Sequence, residues 1–378
     1  MKTSEYFGKG SIRRLSMIAE VASSRRILLI TGKESFKVSG AAKSLELILS
    51  SLQVDRFSVG TDLPVLSDVH AGLKVYGEFR PDLVIAVGGG SVIDIAKMIR
   101  ICSVQEDSPE DIASGTGTIL RRGVPLIAIP TTAGSGSEVT HFAVVFVGNE
   151  KFSVAHDYVR PEVAIVDPQL TYSMPPLQTA MSGMDAFSQA LESLWSVRSS
   201  DSSRHMASEA MDLVLQNINM AVNSPSGDSR EAMSKAAHLA GKAIDISKTT
   251  GPHALSYGLT TSFGIPHGQA VALTVGRFLE FNCEATNSDL NDPRGMEHVK
   301  QVLTEICNLL GVSTCTEGRK AITALMVSLG LETQLAAYGV TSPADCVRLA
   351  SEVNTQRLSN NPRRATRQQL EMILTDLI

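Results

Sequence analysis

The chain changes character once, near residue 174, and that change limits it to few architectures. Before that point, short runs of branched apolar residues alternate with helical stretches. RILLIT (26–31), VDRFSV (54–59), DLVIAVGGG (82–90), VPLIAIP (124–130) and VAIVDP (163–168) read as strands. SGAAKSLELILSSL (39–52) and SVIDIAKMIRICS (91–103) read as helices between them. Strands that are apolar along their length and separated by helices predict a parallel sheet covered on both faces. Beyond 174, strand-like runs nearly vanish. TAMSGMDAFSQALESLWSV, SRHMASEAMDLVLQNINMAV, REAMSKAAHLAGKAIDIS, GMEHVKQVLTEICNLLG and RKAITALMVSLG all carry helical periodicity. The expected organisation is an α/β domain over residues 1–173 and an all-helical domain over 174–378. The proline-bearing LTYSMPP (170–176) joins them. NSPSGDS (223–229) reads as a surface loop.

The length of 378 residues agrees with two domains. A 43% hydrophobic content and a formal net charge of −5 are ordinary for a globular protein, and give no basis for a nucleic-acid or lipid-surface partner. No apolar run reaches the ~18–20 residues a membrane helix needs. MKTSEYFGKGSIRRL lacks the apolar core of a secretory signal, so the expected location is cytoplasmic. The five cysteines (Cys102, Cys283, Cys307, Cys315, Cys346) are odd in number and form no CxxC pair, so reduced thiols are expected.

Two glycine- and hydroxyl-rich turns follow apolar strands. Gly88, Gly89, Gly90 and Ser91 end a strand and open a helix, where close backbone approach and free N–H groups suit a pyrophosphate. A purely structural strand-to-helix turn is the competing reading. Asp94 and Lys97 lie on successive turns of that helix, where a surface ion pair is the plain alternative to a role near a cofactor. PTTAGSGSEVT (130–140) offers many hydroxyl donors. Two such loops at the carboxyl ends of neighbouring parallel strands form the crevice where open α/β sheets bind nucleotides.

In the helical half, Asp185 and Gln189 are spaced i, i+4 and share one helix face. An acid among Met181, Met184, Ala186 and Phe187 needs a partner, which a metal, a cap or a salt bridge would provide. GPHALSYGLTTSFGIPHG (251–268) adds His253 and His267, with Tyr257 one turn after His253. Two imidazoles and a carboxylate suit Zn²⁺ or Fe²⁺, whereas the Gln189 amide is a poor fourth ligand.

Taken together, GGGSVIDIAK, PTTAGSGSEVT, the Asp-x₃-ligand helix and the His-x₁₃-His segment ending in PHG resemble the iron-containing (group III) alcohol dehydrogenases. FGKGSI (7–12), VDPQLT (166–171) and NNPRR (360–364) extend the resemblance over most of the chain. It implies a Rossmann-like N-terminal domain, an all-helical C-terminal domain and an active site in the cleft between them. Asp185, Gln189, His253 and His267 would be the metal ligands, and Gly88 to Ser91 would hold the NAD(P) pyrophosphate. Asp94 would belong with this cofactor set. Thr131, Thr132 and Ser135 would line the adenine and ribose side, while Lys151 and Leu170 would approach the nicotinamide ribose. A homodimer pairing through the N-terminal strand is an analogy with some relatives.

Three departures from the family pattern stand out. Gln189 replaces a ligand histidine, and Tyr257 replaces a histidine that relays a proton. Tyr257 would still donate or relay one, so the catalytic set is Tyr257, His253 and His267. Gly32 stands where NAD-preferring relatives carry an aspartate, and with Lys33 beside it a 2′-phosphate would be tolerated, which favours NADPH over NADH. DAFSQALESLWSV, ISKTTGPHALSYGLTTSFGIPHG and NNPRR resemble the phosphonoacetaldehyde reductase branch. The expected reaction is metal-assisted hydride transfer to a small aldehyde, with Lys248, Lys151 and Arg160 as candidate partners for a phosphonate. For Lys248 an exposed helix-end lysine is the competing reading. Other readings are a dehydrogenase for a different small alcohol or polyol, a dehydroquinate-synthase-like cyclase, and a nucleotide-binding protein with a degenerate metal site.

Overall fold

A computed structural model describes residues 2–60, 63–148 and 150–378. It divides into two compact units, residues 1–174 and 175–378.

Among its described residues, the first unit is built on eight strands. They are β1 (Ser4–Phe7), β2 (Arg26–Thr31), β3 (Gln53–Ser58), β4 (Leu83–Gly88), β5 (Leu126–Pro130), β6 (Phe142–Val147), β7 (Glu150–Ala155) and β8 (Val163–Val166). Six form one sheet in the order β1-β8-β5-β4-β2-β3, with every neighbouring pair parallel. Because strand side chains alternate, β2 sends Leu28 and Ile30 to one apolar layer and Ile27 and Leu29 to the other. β4 does the same with Val84 and Ala86 against Leu83, Ile85 and Val87. Two cores, one on each face, explain why these strands read as continuous apolar runs.

The strand order positions the ligand crevice. The chain runs from β2 outward to β3, then returns past β2 to β4. The carboxyl ends of β2 and β4 therefore mark the switch point where doubly wound sheets open to a ligand. Gly32 follows one of these ends, and Gly88 to Gly90 form the other.

Two strands, β6 and β7, escaped the sequence reading, and the N-terminal strand before FGKGSI pairs with β8 of the same chain. SEYF of β1 lies on the sheet edge, mostly exposed, and carries no apolar run. It is held by its ladder with β8, where Asp167 accepts from the backbone N–H groups of Gly10 (3.0 Å) and Ile12 (3.2 Å). The FGKGSI and VDPQLT motifs thus meet in one turn. β6 and β7 form a separate antiparallel pair.

The second unit contains only helices and turns among its described residues, apart from an isolated bridge between Leu290 and Arg363. Its elements include the helices Pro176–Trp195, Asp201–Asn223, Gly227–Ser247, Gly251–Phe263 and His267–Cys283. Ser200 and Ser226 start two of them with capping boxes. The expected loop over 223–229 is correspondingly shorter: Ser226 caps a helix that begins at Gly227.

Packing of the His267–Cys283 helix against Cys315–Ser328 brings Cys283 and Cys315 side by side, with Cα atoms 6.5 Å apart. Cys307 lies 3.9 Å from Cys315 at sulfur. Among the described residues, no helix is long and apolar enough to cross a membrane.

Candidate active site

In the first unit, the Gly90–Cys102 helix starts with no side-chain cap hydrogen bond at Gly89. A Cβ at Gly88 would come closer than 3.0 Å to Val92, and one at Gly90 closer than 3.0 Å to Ser135. Gly88 and Gly90 are therefore required by space, and they let the backbone at the helix N-terminus come close to an anion. Thr131 donates its N–H to Gly88 O at 2.9 Å, while its buried hydroxyl has no hydrogen-bond partner. Thr132 and Ser135 flank the same turn, within reach of Gly89 and Gly90 respectively. Glycines that a side chain would block, a helix start without a side-chain cap and an orphaned hydroxyl together fit a dinucleotide phosphate.

Asp94 and Lys97 do not form a surface ion pair; both are interior. Lys97 is fully buried and donates to Ser137 Oγ (2.9 Å), Thr140 Oγ1 (3.0 Å) and Phe142 O (2.8 Å). Asp94 accepts from Ser137 Oγ and from the N–H of Val144 (3.0 Å). Burial pushes the Asp94 carboxyl upward against the pull of Lys97 and these donors. The pair fastens the 130–140 loop to the helix. Leu170 is a core residue of this unit. Lys151 lies on β7 with its ammonium 5.7 Å from the Phe146 ring. Arg160 donates to Val139 O (2.7 Å) and contacts His141 (3.3 Å).

In the second unit, Asp185, His253 and His267 converge, with one potential ligand atom from each within 4.8 Å of the others. Asp185 Oδ1 lies 3.5 Å from His253 Nε2 and 3.9 Å from His267 Nε2. That oxygen is buried and accepts no hydrogen bond. Leaving a buried carboxylate oxygen so placed costs about 1–3 kcal/mol or more, a cost that a bound cation removes. Gln189, one turn on, hydrogen-bonds Asp185 through its side chain. Burial raises the Asp185 carboxyl, but His253, His267 and Gln189 together outweigh it and hold the group below its ordinary value. The donor set fits a divalent metal. The His267 side chain is 34% exposed while Asp185 and His253 are buried, so the cluster opens on one side, as a catalytic metal site requires.

Two features of this cluster were missed in the sequence. Glu192 is fully buried, and its Oε1 bonds His253 Nδ1. Its Oε2 accepts from the N–H (2.6 Å) and hydroxyl (2.8 Å) of Thr250, whose hydroxyl also accepts from Trp195 Nε1 (2.8 Å). A carboxylate on Nδ1 fixes the ring so that Nε2 faces Asp185. Burial alone would lower the His253 pKa, but Glu192 and Asp185 lift it to about 9. The available signal was position: Glu192 is seven residues beyond Asp185 and so on the same helix face. The second feature is Gly268, where a Cβ would fall closer than 3.0 Å to the main chain of Met181. Its bare Cα lets the start of the His267–Cys283 helix press against the helix that carries Asp185.

His267 Nδ1 lies 3.4 Å from Ser256 Oγ, and Tyr257 is buried one turn after His253. Lys248 ends the Gly227–Ser247 helix at φ 61° and ψ 166°, and its Nζ reaches Asp245 O at 3.2 Å. Asn360 of the NNPRR segment donates to Thr249 O at 3.0 Å, bracing the turn before His253.

Comparisons with known proteins agree with both sets of residues. Residues 3–168 match the iron-containing alcohol dehydrogenase family model, and residues 179–378 match the C-terminal model of the Fe-containing alcohol dehydrogenase family. Long-chain-alcohol dehydrogenase 1 of Geobacillus thermodenitrificans is 35% identical over 301 residues, covering 77% of this chain and 75% of that protein. Phosphonoacetaldehyde reductase of Streptomyces viridochromogenes is 34% identical over 331 residues, covering 83% and 80% respectively. Among solved structures, the sulfoacetaldehyde reductase of Bifidobacterium kashiwanohense, in complex with NAD⁺, superimposes with a TM-score of 0.87. It shares 31% identity and covers 100% of this chain and 97% of that one.

Proposed function

The chain belongs to the iron-containing alcohol dehydrogenase family and is an NAD(P)-dependent alcohol dehydrogenase; from that premise we propose that it reduces phosphonoacetaldehyde, or a close anionic two-carbon aldehyde, to the primary alcohol. The convergence of Asp185, His253 and His267 carries the reading of a metal-assisted reductase. Support for the substrate comes from two similar proteins. One is named for phosphonoacetaldehyde and the other for sulfoacetaldehyde, both two-carbon aldehydes ending in a tetrahedral anion.

When bound, a divalent cation such as Fe²⁺ or Zn²⁺ polarises the carbonyl and the reduced nicotinamide supplies the hydride. Asp185, Gln189, His253 and His267 would hold the cation. Glu192 holds His253 by Nδ1 and so keeps Nε2 turned toward Asp185. Gly88 to Ser91 and Thr131 would bind the dinucleotide phosphates by N–H and hydroxyl donors. The Tyr257 hydroxyl, carried one helical turn after His253, would hand a proton to the product oxygen.

Lys248 would receive the substrate anion. Its backbone occupies a region ordinarily left to glycine, at a cost of about 1–3 kcal/mol. A lysine in so strained a backbone position supports a role for its side chain.

The test is NADPH oxidation with phosphonoacetaldehyde, sulfoacetaldehyde and acetaldehyde, before and after chelation and metal return, alongside elemental analysis. Activity should depend on the metal and favour the anionic aldehydes. Protein that holds no metal and ignores added Fe²⁺ or Zn²⁺ would sink the mechanism. Lys248→Gly, which removes the ammonium without backbone strain, should raise KM for phosphonoacetaldehyde and leave that for acetaldehyde unchanged; an unchanged KM for both would dismiss Lys248.

A further inference from the structure

The carboxyl ends of β2 and β3 carry a cation that the proposed reaction does not yet use. Arg56 sits on β3 opposite Leu29 of β2, and parallel pairing puts its side chain on the same sheet face as Thr31 and Ser58. Its Nε–H donates to Thr31 Oγ1 at 2.8 Å, and Nη2 donates to Gly32 O at 3.2 Å. The guanidinium carbon lies 4.7 Å from the centre of the Phe36 ring. Two of the five N–H donors of an arginine are thereby committed, which fixes the plane of the fork while the rest remain for a ligand.

The surroundings point to an anion. Ser58, paired in register with Thr31, has a buried hydroxyl with no hydrogen-bond partner. Lys33 is exposed beside Gly32. Gly32 admits no side chain as it stands, because a Cβ there would collide with Ser35 Oγ. Gly32 therefore brings no carboxylate to claim a ribose 2′-hydroxyl. All of this lies beside the switch point, next to the glycine cradle at the end of β4.

We propose that Arg56 grips the 2′-phosphate of the cofactor's adenosine ribose, with Ser58 and Lys33 beside it, and so sets a preference for the phosphorylated dinucleotide. The inference rests on the NAD(P)-dependent reading above. A flat fork anchored on two sides and stacked on an aromatic ring is preorganised for the bidentate contact that phosphate accepts.

Titration calorimetry on the full chain with adenosine 2′,5′-bisphosphate and with 5′-AMP tests it directly. The unmodified protein should bind the bisphosphate roughly tenfold to hundredfold more tightly than 5′-AMP, the margin of a charge-assisted pair. Arg56→Gln should erase that margin without changing 5′-AMP affinity, and Arg56→Lys should restore part of it. The ratio of kcat/KM for NADPH to that for NADH should fall in parallel for Arg56→Gln. Equal affinity for the two nucleotides in the unmodified protein, or equal weakening of both by Arg56→Gln, overturns the role of Arg56 alone. Failure of the unmodified protein to bind either nucleotide overturns the dinucleotide reading as well.

Discussion

The main chain of Met181 fills the space that a side chain at Gly268 would need. His267 can reach Asp185 only because its neighbour has no Cβ. Backbone cannot rotate aside as a flexible side chain can, so Gly268→Ala must move the two helices apart. The expected result is a loss of about 1–3 kcal/mol of stability and of most bound metal. Thermal unfolding and metal content after dialysis against a chelator check this. An alanine variant that keeps both its melting temperature and its metal contradicts it.

Glu192 acts on the metal only through His253. Glu192→Gln preserves shape but removes the charge, so metal affinity or activity should fall about 10- to 100-fold while the fold survives. Competition with a graded series of chelators measures the affinity. An unchanged constant would mean that the His253 ring is held by packing alone.

Gln189 stands one turn from Asp185 and hydrogen-bonds it. If its amide faces the metal, Gln189→His supplies a better donor and should tighten Zn²⁺ binding by roughly tenfold or more, about 1.4 kcal/mol. The same chelator series reads this out. No gain, with the fold intact, would place residue 189 outside the coordination sphere.

Arg363 of the NNPRR segment donates to Asp289 (2.7 Å) and to Phe281 O (2.7 Å). Burial opposes ionisation of Asp289, yet Thr286 and Arg363 hold its carboxyl below the ordinary value. A carboxylate whose pKa is lower in the folded state stabilises the fold above its unfolded pKa, about 4, and that stability is lost as pH falls through the folded value. Asp289→Asn should therefore melt below the unmodified protein at pH 7, and the gap should close as pH drops below about 4. A gap independent of pH would assign the effect to lost hydrogen bonds only.

The sequence carried the parts of this site that depend on short-range order. Gly88 to Ser91 after a strand, and Asp185 with Gln189 on one helix face, are local patterns. Glu192 shares that face, but its partner His253 lies 61 residues away, and periodicity says which residues face inward without saying what they meet. Lys97 illustrates the same limit. A lysine on a helix next to an aspartate suggests a solvated pair, and only the loop folded over it supplies the three acceptors that allow complete burial. Arg56 lies on an edge strand read correctly from its sequence, yet its contacts reach across the ladder to β2. Cys283 and Cys315 were separated by 32 residues with no motif to join them.

The buried Lys97 and Asp94 have a thermodynamic consequence for ligand association. A free loop as rich in glycine and hydroxyl residues as 130–140 would sample many conformations, and fixing each backbone residue costs about 1–2 kcal/mol. Here that entropy is surrendered when the polypeptide folds, because Ser137, Thr140, Phe142 and Val144 are already tied to the neighbouring helix. An arriving nucleotide meets a rim that is already rigid. Little of its interaction energy is diverted into ordering the polypeptide there, and the loop can discriminate by shape rather than by adapting to whatever enters.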